Sequence, residues 1–157
     1  MMKLKDLYYC LKKDFLVNQD RGFDTKMFLF MFQLGQFFAC GGGFIFRILI
    51  KLTVNRYNHY PLSARIGAGL RIPHNFGICI SGNAIIGENC TIMHQVTIGV
   101  IDSADAPRIG DNCFIGAGAK VLGGISVGDN VKIGANAVVT KNVPKGATVV
   151  ECNRLIL

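Results

Sequence analysis

From Ile66 onward the apolar positions recur every six residues, a period too short for a helix pair and longer than a strand alternation. An aliphatic residue opens each hexad, Gly often follows it, and a small or apolar residue stands four places on. The aliphatic series runs through Ile66, Ile72, Ile80, Ile86, Ile92, Ile98, Ile109, Ile115, Val121, Val127, Ile133 and Val139. The second series includes Ala84, Cys90, Val96, Cys113, Ala119, Ile125, Val131 and Ala137. This pattern predicts a solenoid in which each hexad is one short strand and turn, and three hexads close one coil. Both series point inward and stack coil on coil, while Gly and Asn allow the turns. The expected fold class is all-β, a parallel β-helix of hexapeptide repeats, preceded by a short N-terminal α-helical segment.

The register breaks twice. Two residues are inserted between Ile72 and Ile86, and five between Ile98 and Ile109. The second insertion, Val-Ile-Asp-Ser-Ala-Asp-Ala-Pro over residues 100–107, is an excursion from the solenoid. Loops that leave a rigid scaffold are where sites are usually built. Residues 1–57 lack the repeat. Lys3 to Asn18 reads as an amphipathic helix, and Met27 to Ile50 is rich in Phe, Leu and Ile. Gln33, Gln36, Gly41-Gly42-Gly43 and Arg47 interrupt that stretch, so it makes a poor membrane span. Two short helices packed on the β-helix base or on a neighbouring subunit fit better. The boundaries are drawn as 1–57 for the helical segment and 58–157 for the β-helix.

Composition changes this picture little. Half of the 157 residues are hydrophobic and 17% are charged, so the chain builds a core and is not disordered. The net charge of +7 is uneven. Residues 1–57 carry nine Lys/Arg against four Asp/Glu, and residues 58–157 carry eight against six. Such a balance suits an anionic lipid surface or a phosphorylated cofactor. No Lys/Arg cluster interleaves with aromatics, so nucleic acid is set aside. Peripheral membrane contact through residues 1–57 is kept as the lesser option. The six cysteines (Cys10, Cys40, Cys79, Cys90, Cys113 and Cys152) form no CxxC, and Cys90 and Cys113 fall on inward positions. Reduced thiols and no cleavable signal peptide point to the cytoplasm, with the inner membrane surface as the second option.

From Asn58 to Leu157 the chain resembles the hexapeptide-repeat acyltransferases, in the branch of serine O-acetyltransferases and capsule or exopolysaccharide O-acetyltransferases. The residues that carry the match are P-L-S-A-R-I-G-A-G-L-R-I-P-H (61–74), V-T-I-G (96–99), I-G-A-G-A-K-V-L-G (115–123), K-I-G-A-N-A-V-V (132–139) and V-P (143–144). The resemblance implies a left-handed β-helix, against the usual crossover hand. It also implies a homotrimer with acetyl-CoA in a groove between subunits.

Acetyl transfer to an alcohol needs a base at the hydroxyl, and His has its pKa near working pH. The thioester is already activated, so direct attack needs no acyl-enzyme. The chain has three histidines. His74 matches the family's catalytic His. His94 lies 20 residues on, one 18-residue coil plus the two-residue insertion, and holds the same place in its hexad. The two are therefore expected on one face, one coil apart, with His94 either a second acid/base or acceptor-binding group or a turn-lining residue. In serine acetyltransferases a carboxylate fifteen residues before the catalytic His orients its ring. The same count here lands on His59, which departs from the family. By resemblance Ala117 and Ala135 line the pantetheine groove, Gly99 lies near its reactive end, and Lys132 pairs with a coenzyme A phosphate. The tail Val150-Glu151-Cys152-Asn153-Arg154 departs from the family's closing Gly-x-Pro-Ala-Arg turn.

Two acceptors compete. A sugar hydroxyl in capsule, exopolysaccharide or lipopolysaccharide biosynthesis is the first expectation, and serine, for cysteine biosynthesis, the alternative. Three features favour the sugar: no large N-terminal helical domain, Pro73 where relatives carry Asp, and Asp105-Ala106 where they carry an Arg-His pair. A site without a cation for the carboxylate should discriminate against serine. A β-helical zinc site is disfavoured because His59, His74 and His94 lack a pair five apart, so no metal is expected. A non-catalytic structural β-helix would consume no acetyl-CoA.

Overall fold

The computed structural model describes residues 3–38, 58–59, 61, 63–102 and 105–150. The apolar run beyond residue 38, Ser103, Cys40 and the tail from Glu151 onward lie outside the described residues.

The hexads fold as their period predicts, into a left-handed parallel β-helix of three four-stranded sheets. The first face holds β1 (Arg65–Ile66), β3 (Ile85–Ile86), β6 (Arg108–Ile109) and β9 (Ser126–Val127). The second holds β4 (Thr91–Ile92), β7 (Phe114–Ile115), β10 (Lys132–Ile133) and β12 (Thr148–Val149). The third holds β2 (Cys79–Ile80), β5 (Thr97–Gly99), β8 (Lys120–Leu122) and β11 (Val138–Val139). Every pairing is parallel and in register, as in Ile80 with Ile98 and Ile98 with Val121. Ile72, Ile92, Ile115 and Ile133 are each fully buried in one inward column, and Ile80, Ile98 and Val121 in another. Burying each such side chain stabilises by about 1.5–3 kcal/mol, which makes the columns the main source of cohesion.

The corners follow a rule that hydrophobic periodicity alone does not show. After the strands of the first face and after β4, β7 and β10, the third residue past the inward aliphatic adopts a left-handed conformation. Asn89, Gln95, Asn112, Asn130 and Asn136 all do so, with φ between 56° and 59°. Asn tolerates this region better than most side chains, and Gly118 fills the same place with φ 72°. A side chain at Gly118 would also run into the Asn136 amide, so glycine is required there twice over.

Two helices, α1 (Leu4–Val17) and α2 (Phe23–Phe38), cap the start of the solenoid. Phe28, Leu29 and Phe32 of α2 are buried in the same core cluster as Ala64, Ile66 and Leu70. A first coil would otherwise present an open backbone edge. Polar side chains from the helices close it. Asp14 accepts from the N–H groups of Gly69 (2.6 Å) and Leu70 (3.1 Å), and Asn18 binds the Leu70 carbonyl (2.8 Å) and the Ile72 N–H (3.3 Å). Lys13 adds an ion pair to Glu88 at 2.6 Å. No described helix is long and apolar enough to cross a membrane.

Candidate active site

The two-residue insertion lies in one turn. Residues 73–78 join the second face to β2, whereas the corresponding turns 93–96, 116–119 and 134–137 are two residues shorter. The enlarged turn carries His74. In the next three coils the same corner position, two places after the inward Ile, is held by His94, Ala117 and Ala135. Backbone bonds run up this edge. Gln95 N–H donates to the Phe76 carbonyl (2.9 Å), Gly118 N–H to His94 (3.0 Å), and Asn136 N–H to Ala117 (2.8 Å). Four residues singled out in the sequence thus stand in one column.

His74 is exposed and His94 half-buried, and their rings meet edge to face with centroids 5.6 Å apart and planes at 80°. The Nδ1 of His94 is buried without a hydrogen-bond partner. Below the imidazoles the corner narrows to the methyl groups of Ala117 and Ala135, leaving a shallow edge along which an extended chain can approach the backbone. Lys132 is exposed on the second face, three residues before Ala135. Gly99 stands apart. It ends β5 at the opposite edge of the third face, where residues 100–102 begin the excursion with Val100 and Ile101 exposed.

His59 forms a parallel bridge with Cys79 at the start of the third face, its backbone bonds Ile78 and Ile80, and its side chain is exposed. The residue that reaches the His74 turn is its neighbour Asn58, whose amide binds the Asn75 carbonyl (3.3 Å) and the Ile78 N–H (2.9 Å). A fifteen-residue count passes over Asn58 by one place. Sequence reasoning also missed Lys120, whose ammonium donates to the Gln95 carbonyl (2.8 Å) and so brings a cation to the histidine edge. Its signal was an outward strand position directly after the Ala117 corner. Cys90 and Cys113 are buried and donate to the Gly110 and Gly128 carbonyls, each at 3.2 Å, which fits a packing role. The adjacent Cys113 thiol and burial hold Cys90 well above the usual thiol range. Among the described residues no three His, Cys, Asp or Glu side chains converge on a metal-sized site.

A family model described as bacterial transferase hexapeptide (six repeats) matches residues 106–141. These residues carry the repeat of the hexapeptide transferases. A serine acetyltransferase from Helicobacter pylori is 49% identical over 112 residues, covering 68% of this chain and 65% of its own. Serine acetyltransferase 5 of Arabidopsis thaliana is 48% identical over 91 residues, 56% of this chain and 29% of its own. The chain thus spans between about a third and two thirds of these relatives. Among solved structures, soybean serine acetyltransferase without ligands superposes with a TM-score of 0.83 at 27% identity, covering 97% of this chain and 69% of that one.

These relatives overturn the expectation of a sugar hydroxyl in polysaccharide biosynthesis, and with it the glycan acceptor. The inference against serine rested on two positions of the excursion. Ala106 is buried as the chain re-enters the solenoid, and Asp105 is exposed next to Gly124. The missing cation at these two positions is outweighed by the likeness to serine acetyltransferases. Lys120 supplies a cation at the histidine edge instead.

Proposed function

We propose that this chain is a serine O-acetyltransferase that moves the acetyl group of acetyl-CoA to the serine hydroxyl, with His74 as general base. The observation that carries the reading is the single corner on which His74, His94, Ala117 and Ala135 stack, in a fold shared with serine acetyltransferases. His74 takes the hydroxyl proton as the oxygen attacks the thioester carbonyl, and the thiolate leaves. Acetyl-CoA supplies the activated acetyl group. The small corner of Ala117 and Ala135 fits its pantetheine arm, and the exposed Lys132 fits a phosphate.

Gly99 and the histidine corner occupy opposite edges of the third face in one chain, so a second copy is needed to bring them together. Closed three-fold symmetry meets this need for every copy. The working unit is accordingly a homotrimer.

Incubation with acetyl-CoA and an acceptor panel of serine, nucleotide sugars and oligosaccharides tests the reading through thiol release and product mass. O-acetylserine is the expected product. Steady thiol release with another acceptor and none with serine would overturn it, and light scattering that finds an active monomer would remove the trimer.

A further inference from the structure

We propose that Asn58 is the positioning residue of the His74 base, an inference that rests on the role given to His74 above. The turn that carries His74 is looser than its neighbours by its length alone. The corners 93–96, 116–119 and 134–137 are four-residue turns with one left-handed residue. The 73–78 turn keeps one left-handed residue, Gly77, and accepts Gln95 N–H at Phe76, but it is two residues longer and its ring-bearing end is exposed. No side chain hydrogen-bonds the His74 ring among the described residues. Its orientation depends on the path of the turn backbone and on the edge contact with His94.

Asn58 fixes that path. It sits one coil earlier, beneath the turn, and uses both ends of its amide. Nδ2 donates to the Asn75 carbonyl, one residue after His74, and Oδ1 accepts from Ile78 N–H, where the chain rejoins the core. Ile78 itself is fully buried, so the second bond ties the loose turn to a fixed point. One neutral side chain thus spans the added residues. An amide is the group this site requires, because it must offer one donor and one acceptor at once. A carboxylate would set a second acceptor against the Asn75 carbonyl, and an aliphatic side chain would lose that bond and leave the Ile78 N–H unpaired. The ionisable groups around the turn are His59 beside Asn58, His94 on the next coil, the Lys120 ammonium at Gln95 and the Arg71–Asp20 pair. None of these groups is hydrogen-bonded to Asn58.

The test compares full-length wild type, Asn58→Ala, Asn58→Asp and Asn58→Ser under acetyl-transfer conditions, with thermal melting as the control for folding. For Asn58→Ala we expect kcat to fall roughly 10-fold or more while KM for acetyl-CoA stays within about twofold, because a misplaced base slows chemistry without weakening donor binding. Asn58→Ser keeps one of the two bonds and should recover part of that loss. Asn58→Asp keeps the Ile78 bond but loses the donor to Asn75. Both Asn58→Ala and Asn58→Asp should shift the His74 ring resonances, read by NMR on histidine-labelled protein, because the turn backbone that carries the ring moves. That measurement needs no turnover, so it separates this inference from the activity assigned to the chain. Folded Asn58→Ala with unchanged kcat, or with His74 ring resonances unmoved, would overturn the proposal. So would a loss of kcat that only tracks the folded fraction across all three variants.

Discussion

The early and late coils of the solenoid are built on one repeat but held in different ways. From Arg108 onward the coils hold one another. Asn112, Gly118, Asn130 and Asn136 form left-handed corners tied to the coil before, and the side-chain braces, Asp129 to the Asp111 N–H and Asn142 to the Ser126 N–H, come from within the solenoid. The coils from Asn58 to Gly99 depend on outside help. Asp14 and Asn18 reach in from α1 to bind Gly69, Leu70 and Ile72, Gln36 reaches from α2 to the Ala64 carbonyl, and Asn58 braces the long turn. The irregular half carries all three histidines, His74 and His94 among them. A perfect repeat gives every coil the same corner, so a site that needs one special side chain requires a break and something to hold that break in place. The helices brace the first coil, and Asn58 braces the break itself.

The sharpest way to break the comparison is to remove the group for which the irregular half exists. His74→Ala should lower kcat by on the order of 10²–10⁴-fold, since the acceptor proton then has no base in reach. KM for acetyl-CoA should stay close to wild type, because the alanine half of the edge is untouched. A variant that turns over at near the wild-type rate would strip His74 of its role.

Next in size is the helical buttress. Asp14 is buried and accepts three hydrogen bonds, from Gly69 N–H, Leu70 N–H and the Gln33 amide. Asp14→Ala leaves those donors unpaired and should cost roughly 2–4 kcal/mol, seen as a lower Tm. Asp14→Asn should behave differently. Burial pushes the Asp14 carboxyl up to about 6 against the pull of its hydrogen bonds. The folded state then binds the proton more tightly than the unfolded chain. The stabilisation from this group is complete below 3.8 and is lost as pH rises through about 6. An amide never ionises, and the buried, unpaired Oε1 of Gln33 could take its N–H after a flip of the Gln33 amide. Asp14→Asn is therefore expected to melt higher than wild type above pH 6, with the gap closing toward pH 4. Melting curves at four or five pH values would show it, and a gap that widens on acidification would contradict the sign.

The same contrast explains what the sequence made legible. The inward columns, the three-hexad coil and the shared position of His74 and His94 were readable because burial imposes a strict period, and a two-residue insertion shifts that period by a countable amount. Asn58 and Lys120 were not, because each acts across coils through one side chain that no period announces. Asp14 looked like an ordinary polar residue of an amphipathic helix, yet it faces the solenoid because the first coil's open backbone needs acceptors there. The acceptor was not legible across the excursion at 100–107, where counting through an insertion carries no fixed register and two residues, Asp105 and Ala106, were too little to exclude serine.

The smallest effect concerns His94, where the two halves of the edge meet. Its ring lies edge to face with His74 at 5.6 Å, and its Nδ1 is buried without a partner. A buried, unpaired ring nitrogen is a cost to the fold, whereas the ring's shape supports its neighbour. His94→Phe keeps a ring of similar shape and removes both nitrogens. If the ring acts by packing, the variant should be as stable as wild type or up to about 1 kcal/mol better, since the desolvated nitrogen is gone. Its kcat should then stay within about 10-fold of wild type, well above that of His74→Ala. His94→Ala would lose the packing as well and should fall below His94→Phe in both Tm and kcat. The ordering is what separates the roles, because a proton-transfer group is lost equally with Phe and with Ala. Equal losses in the two variants, each approaching that of His74→Ala, would make His94 a second acid/base of the reaction rather than the wall against which His74 is held.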